Sequence, residues 1–148
     1  MVLDLKSLTN AIAQLKEALE YCQSDLAKSD EALAVHLRAA AIQAFEFTYE
    51  LCLKTIRRHL EQSESSVAIV RSMSFDELIR RAWALELLHE DVTQWREFRK
   101  QRGTTSHTYN EDKAEIIYQE IPRFLVEAQY LHAAILQRQQ SDESNNPH

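Results

Sequence analysis

Apolar residues along this chain recur at three- and four-residue steps, the period of amphipathic helices. Leu5, Leu8, Ile12, Leu15, Leu19, Cys22 and Leu26 make the first such stripe. Ser29 and Asp30 can cap a second helix, expected to run to about Glu61 with Leu33, Leu37, Ala41, Phe45, Tyr49, Leu53, Ile56 and Leu60 on its apolar side. At the rise of an α-helix that element is about 50 Å long, comparable to a whole bundle. Glu50 and Lys54 are spaced to pair on it at i,i+4.

Residues 62–73, Q-S-E-S-S-V-A-I-V-R-S-M, are polar and then briefly apolar, and are expected to form a loop. S-F-D-E at 74–77 has the pattern of a capping box, so a third helix should start at Ser74 and end near Leu88. A fourth is expected from about Asp91, carrying Val92, Trp95 and Phe98. T-Y-N-E at 108–111 repeats the capping pattern and opens a last helix through Ala114, Ile117, Ile121, Leu125, Ala128, Leu131 and Ile135. Pro122 falls inside it and should kink it. The sequence therefore predicts an all-α, up-down bundle of about five helices in a single domain over residues 1–140. The polar residues 141–148 are expected to be a disordered tail.

Composition supports the helical reading: 148 residues contain one glycine and two prolines, too few to punctuate a strand-rich fold. No run of eighteen apolar residues is present, so no membrane span is expected. The opening MVLDLKSLTN lacks the basic start and apolar stretch of a secretory signal, which leads to the expectation of a cytoplasmic protein. Cys22 and Cys52 both fall in apolar helical patterns and are expected as buried free thiols. The formal net charge of -6 disfavours indiscriminate polyanion binding, because such binding is largely phosphate neutralisation. Charge is uneven, however: Arg96 to Arg102, R-E-F-R-K-Q-R, carries four cations against one acid.

The glycine follows that cationic stretch, in R-G-T-T-S-H-T-Y at 102–109. Gly103 stands where a helix end favours a left-handed residue, and Thr108 can cap the next helix. A guanidinium and an imidazole beside free helix N–H groups suit a phosphate. Imidazole can accept the proton of a ribose 2′-hydroxyl or return one to a leaving oxygen, and arginine can stabilise charge gathering on phosphorus. Arg102 and His107 are thus candidates for RNA cleavage, with Arg99, Thr104, Thr105 and Ser106 as candidate phosphate contacts. The same spacing suits a helix-capping junction with an exposed histidine. No metal site is expected: Glu86-x-x-His89 is a lone copy of a motif that dinuclear bundles use twice. Trp83, Trp95, Phe45, Phe47, Tyr49 and Phe98 are expected in the core.

F-E-F-T-Y-E-L-C-L-K-T-I at 45–56, followed about fifty residues later by R-x4-H-x-Y at 102–109, resembles the HepT family within the wider HEPN superfamily. The resemblance extends over most of residues 3–125 and includes Trp95. Its members are also described as nucleotidyltransferase substrate-binding proteins. The resemblance implies a HEPN-like helical homodimer whose motifs meet at the subunit cleft, with no cofactor. It also implies a toxin of a toxin–antitoxin pair: a metal-independent endoribonuclease acting on RNA, tRNA included, through Arg102 and His107. The implied partner is a minimal nucleotidyltransferase antitoxin that transfers AMP to Tyr109. A non-catalytic adaptor presenting substrate to a nucleotidyltransferase is the alternative. One position departs from the family pattern: Gly103 stands where a polar residue, often asparagine, is common.

Overall fold

The computed structural model describes residues 2–145, and every regular element among them is helical. Seven α-helices follow one another: α1 Lys6–Cys22, α2 Asp25–Ser29, α3 Glu31–Ser63, α4 Val67–Ser72, α5 Phe75–Ala84, α6 Val92–Gly103 and α7 Glu111–Asn145. A 3-10 turn, Thr105–His107, separates the last two. The all-α bundle is the observed fold. α1 packs along α3, α7 lies against both, and α5 and α6 close the side of this spine.

The two short helices were not visible in the periodicity. Ser24 accepts a hydrogen bond from the Ala27 N–H at 3.3 Å, which starts α2 and breaks the first stripe. Ala27 turns inward as a result, and Leu26, expected on the apolar face, is exposed. Ser66 likewise accepts from the Ile69 N–H at 3.3 Å, so residues 67–72, expected as loop, form α4. Its Val70 packs into the core.

The longer boundaries follow capping chemistry. Asp30 accepts from the Leu33 N–H at 3.2 Å and begins α3. Ser74 accepts from the Glu77 N–H at 3.2 Å while its hydroxyl meets the Glu77 carboxylate at 3.1 Å, closing the expected box. Asp91 accepts from the N–H groups of Thr93 and Gln94 and begins α6. α5 stops at Ala84, short of the expected Leu88. Glu86 takes φ 61° there, its N–H donating to the Trp83 carbonyl and that of Leu87 to the Ala82 carbonyl. This is a Schellman ending with a glutamate in the place glycine favours.

An aromatic cluster fills the centre. Phe124 of α7 meets Phe45 of α3 at 5.0 Å and Phe98 of α6 at 5.2 Å between ring centroids, both edge to face. Trp95 and Tyr49 complete the group. Phe47 and Trp83, expected in the core, are 57% and 50% exposed. Phe47 lies about 200° around the helix from Phe45 and so faces outward. Trp83 stands in the last turn of α5, where its neighbour Ala82 takes the inward place.

α7 continues through Pro122 as one helix and extends to Asn145, past residue 140 where the tail was expected to begin. Residues 146–148 lie outside the described residues. Cys52 is buried and Cys22 half-buried, both as free thiols.

One polar group ties this core to the site. Glu127, 1% exposed on α7, accepts from the backbone N–H of His89 at 3.0 Å, the N–H of Glu90 at 2.8 Å and the Trp95 indole N–H at 2.8 Å. Burial pushes its carboxyl pKa up, and the three donors pull it back only in part. Through these bonds α7 holds both the loop before α6 and the first turns of α6 itself.

Candidate functional site

α6 carries the cationic stretch outward from Trp95 and ends at Gly103. No glycine has positive φ, so the left-handed exit expected at Gly103 is not made there. The helix instead ends on Thr104, whose N–H and hydroxyl both donate to the Gln101 carbonyl, at 3.1 and 3.0 Å. A Cβ placed on Gly103 would meet nothing within 4 Å. The residue is neither conformationally nor sterically required.

The 3-10 turn that follows is closed by the His107 N–H donating to the Thr104 carbonyl at 2.9 Å. Asn110, not Thr108, caps α7: its side-chain oxygen accepts from the N–H groups of Asp112 and Lys113 at 3.0 and 3.2 Å. The carboxylates of Glu111 and Asp112 occupy the same first turn. The donors expected to receive a phosphate are therefore already engaged, and two acids stand beside them.

Arg102 is held from three directions. Its Nε donates to Glu50 at 3.0 Å, its Nη2 meets Glu46 at 3.2 Å, and its Nη1 donates to the Thr105 hydroxyl at 3.3 Å. The Thr105 hydroxyl in turn donates to the Arg102 carbonyl at 2.9 Å. Thr105, expected as a phosphate contact, is buried and acts as a brace for the arginine. Thr104 is spent on its helix end, and Ser106 is exposed. The expected Glu50–Lys54 pair gives way to Glu50–Arg102, because the guanidinium of α6 reaches the α3 face first. Both ion pairs are part-exposed, so solvent screens them, and they fix orientation more than they stabilise the fold.

His107 and Tyr109 stand together on the outer side of the junction, ring centroids 6.0 Å apart and planes at 72°. His107 is exposed and Tyr109 is 83% exposed. Arg102, His107 and Tyr109 thus share one short segment, but no hydrogen bond among the described residues joins Arg102 to His107 directly. Arg99, three residues before Arg102 on the same helix, stands over Phe75 with its guanidinium carbon 4.7 Å from the ring centroid. Among the described residues no three His, Cys, Asp or Glu side chains gather as a cation site.

The sequence did not pair Glu46 and Glu50 with Arg102, which they hold. Their signal was present, since two acids one turn apart on a long helix beside Phe45 and Tyr49 call for a cation from a neighbouring element.

The family described as nucleotidyltransferase substrate binding protein like matches residues 3–137. A Haemophilus influenzae protein named "Probable ribonuclease HepT" is 39% identical over 106 residues, 72% of each chain. The chain belongs to this HepT-like family. A solved Haemophilus influenzae structure, described as the fold of a substrate binding domain of a nucleotidyltransferase, superposes on the HepT-like chain with TM-score 0.84. It is 30% identical and covers 89% of this chain and 98% of its own. A Thermus thermophilus crystal structure is similar at TM-score 0.64 and 26% identity, covering 86% of this chain and 98% of its own.

Proposed function

We propose that this HepT-like chain is a metal-independent endoribonuclease toxin, acting as a two-fold dimer on RNA, tRNA included. The observation that carries the reading is the junction after α6: a braced arginine, an exposed imidazole and an exposed phenol on eight consecutive residues. The name of its Haemophilus influenzae relative supports the same reaction class.

In this reading the His107 imidazole takes the proton of a ribose 2′-hydroxyl. The freed oxygen attacks the adjacent phosphorus, and the bond to the 5′-oxygen breaks to leave a 2′,3′-cyclic phosphate. The leaving 5′-oxygen receives a proton from an imidazolium, supplied most directly by the second protomer's copy of His107. Arg102 stabilises the charge on the pentacoordinate phosphorus. Glu46, Glu50 and Thr105 aim that guanidinium, so it meets the phosphate without a search of its own rotamers. Tyr109 is the acceptor for AMP from the partner nucleotidyltransferase: its oxygen attacks the α-phosphorus of ATP and pyrophosphate leaves. The added nucleotide places negative charge where substrate phosphate must approach, which turns the enzyme off.

A second reading, a non-catalytic adaptor for a nucleotidyltransferase, is favoured by the family description and by the two carboxylates already on Arg102. Incubating the purified chain with total RNA beside Arg102→Ala and His107→Ala forms separates the two. Ribonuclease function requires each substitution to slow cleavage by about 100-fold or more. Equal RNA loss with all three proteins, or none with any, removes the catalytic assignment.

A further inference from the structure

Beside Arg102, α3, α5 and α6 line a cleft of about 400 Å³. Tyr49, Leu53, Arg57, Phe75, Arg99 and Arg102 line it, with Glu50 as its one acid and Gly103 at its edge. We propose that this cleft is a nucleotide subsite, which takes the nucleotide flanking the cleaved bond of the RNA. The inference rests on the ribonuclease reading for its substrate class.

Charge is the first reason. Arg102 is balanced by Glu46 and Glu50, but Arg57 and Arg99 have no acidic partner among the described residues. Asp76 feels the Arg99 charge, but that carboxylate is engaged by Arg96. Arg57 uses one nitrogen on the Val70 carbonyl at 2.8 Å, which anchors the side chain and leaves its other donors open. Two guanidiniums without a carboxylate partner in one cleft suit a phosphate.

The second reason is an unpartnered phenol. Tyr49 is 3% exposed, lines the cleft, and its hydroxyl makes no hydrogen bond to any described residue. The ring is buried while the hydroxyl reaches solvent, so it is free to donate to a ligand in the cleft. Burial pushes its pKa up to about 12, so it remains a neutral donor. The third reason is shape. Arg99 and Phe75, with the guanidinium carbon 4.7 Å from the ring centroid, are side chains on which nucleobases stack, while Leu53 supplies an apolar wall. The absent side chain at Gly103 keeps the edge open on the motif side. The volume is in the range of small-molecule sites, about 300–1,000 Å³.

The test is calorimetric titration of the full chain with a dinucleotide that carries a 2′-deoxy sugar at the bond to be cut. The wild-type protein should bind it. Arg99→Gln and Arg57→Gln should each weaken binding about tenfold, the scale of one charged hydrogen bond. Gly103→Leu should weaken it comparably by filling the edge, without touching the core, which covers the case of Arg57→Gln unsettling α4. Arg138→Gln, remote from the cleft, should not matter. Absent wild-type binding, or unchanged affinity in Arg99→Gln and Gly103→Leu, overturns the subsite. Binding that depends on these residues in a protein that cuts no RNA leaves the subsite standing while the ribonuclease reading falls. Wild-type cleavage rates in Arg99→Gln and Gly103→Leu do the reverse.

Discussion

Replacing Glu127 with alanine removes the acceptor of three donors at once: the buried Trp95 indole and the part-buried backbone N–H groups of His89 and Glu90, so the full burial cost is an upper bound. A buried donor left without a partner costs about 1–3 kcal/mol, so three orphans set a gross loss of roughly 3–9 kcal/mol. Two effects oppose it. The variant no longer buries a carboxylate, and the space left by the shorter side chain is polar enough to admit water. A net loss of about 2–4 kcal/mol is expected, a fall in Tm of roughly 5–15 °C for a domain of this length. Urea unfolding followed by far-ultraviolet circular dichroism and by tryptophan fluorescence measures it. A loss below about 0.5 kcal/mol would show that Glu127 is not the tie between α6 and α7. Glu127→Gln adds a pH signature. Because burial raises the folded-state pKa, the folded protein holds this proton more tightly than the unfolded chain. That contribution is full below the ordinary carboxylate pKa and is lost as pH rises through the raised folded value. Glutamine cannot titrate, so wild-type stability relative to Glu127→Gln should be greatest in acid and shrink toward neutral pH. A difference that stays flat across that window refutes the assignment.

Gly103→Ala should stabilise the protein by about 0.5–1 kcal/mol, since its backbone is helical and the added carbon has room. Glu86→Gly should also stabilise, by up to about 1 kcal/mol, because the left-handed strain is at that residue; thermal melts of the two single variants and the double should show near-additive gains. Glu46→Gln combined with Glu50→Gln removes both carboxylates from Arg102, so anisotropy titrations with single-stranded RNA in a His107→Ala background should show binding tighter by roughly three- to tenfold. Weaker binding would mean that the aim these carboxylates give the guanidinium outweighs the charge they cancel.

The long elements were legible because their signals are long or chemically specific. Asp30, Ser74 and Asp91 cap where the sequence places caps, and the stripes of α1, α3 and α7 supply most of the buried core. Short elements were not. α2 and α4 have only 5 and 6 residues, too few for a period to show, and only Ser24 and Ser66 mark their starts. The junction was read half correctly. Its place between two helices matches the structure, whereas Gly103 and Thr108 were given roles that Thr104 and Asn110 perform. The reason is that several residues in T-T-S-H-T-Y-N can cap a helix, and local pattern does not choose among them. Nor does local pattern show that Arg102 meets Glu46 and Glu50, a contact across 52 positions in the case of Glu50. Only the packing of α6 on α3 creates it.

α3 has a double duty. Phe45, Tyr49 and Cys52 of this one rod lie in the interior, while Glu46, Glu50, Leu53 and Arg57, interleaved with them, flank the candidate site. Interior and wall therefore share a rigid register, and sliding or bending one displaces the other. A redesign for a different target cannot remodel the α3 wall without disturbing the centre of the molecule. The freedom to diversify lies instead at Gly103, Ser106 and Thr108 of the short bridge, which hold neither a cap nor the brace, and in side chains that point away from the rod. An engineer seeking new selectivity should randomise there first.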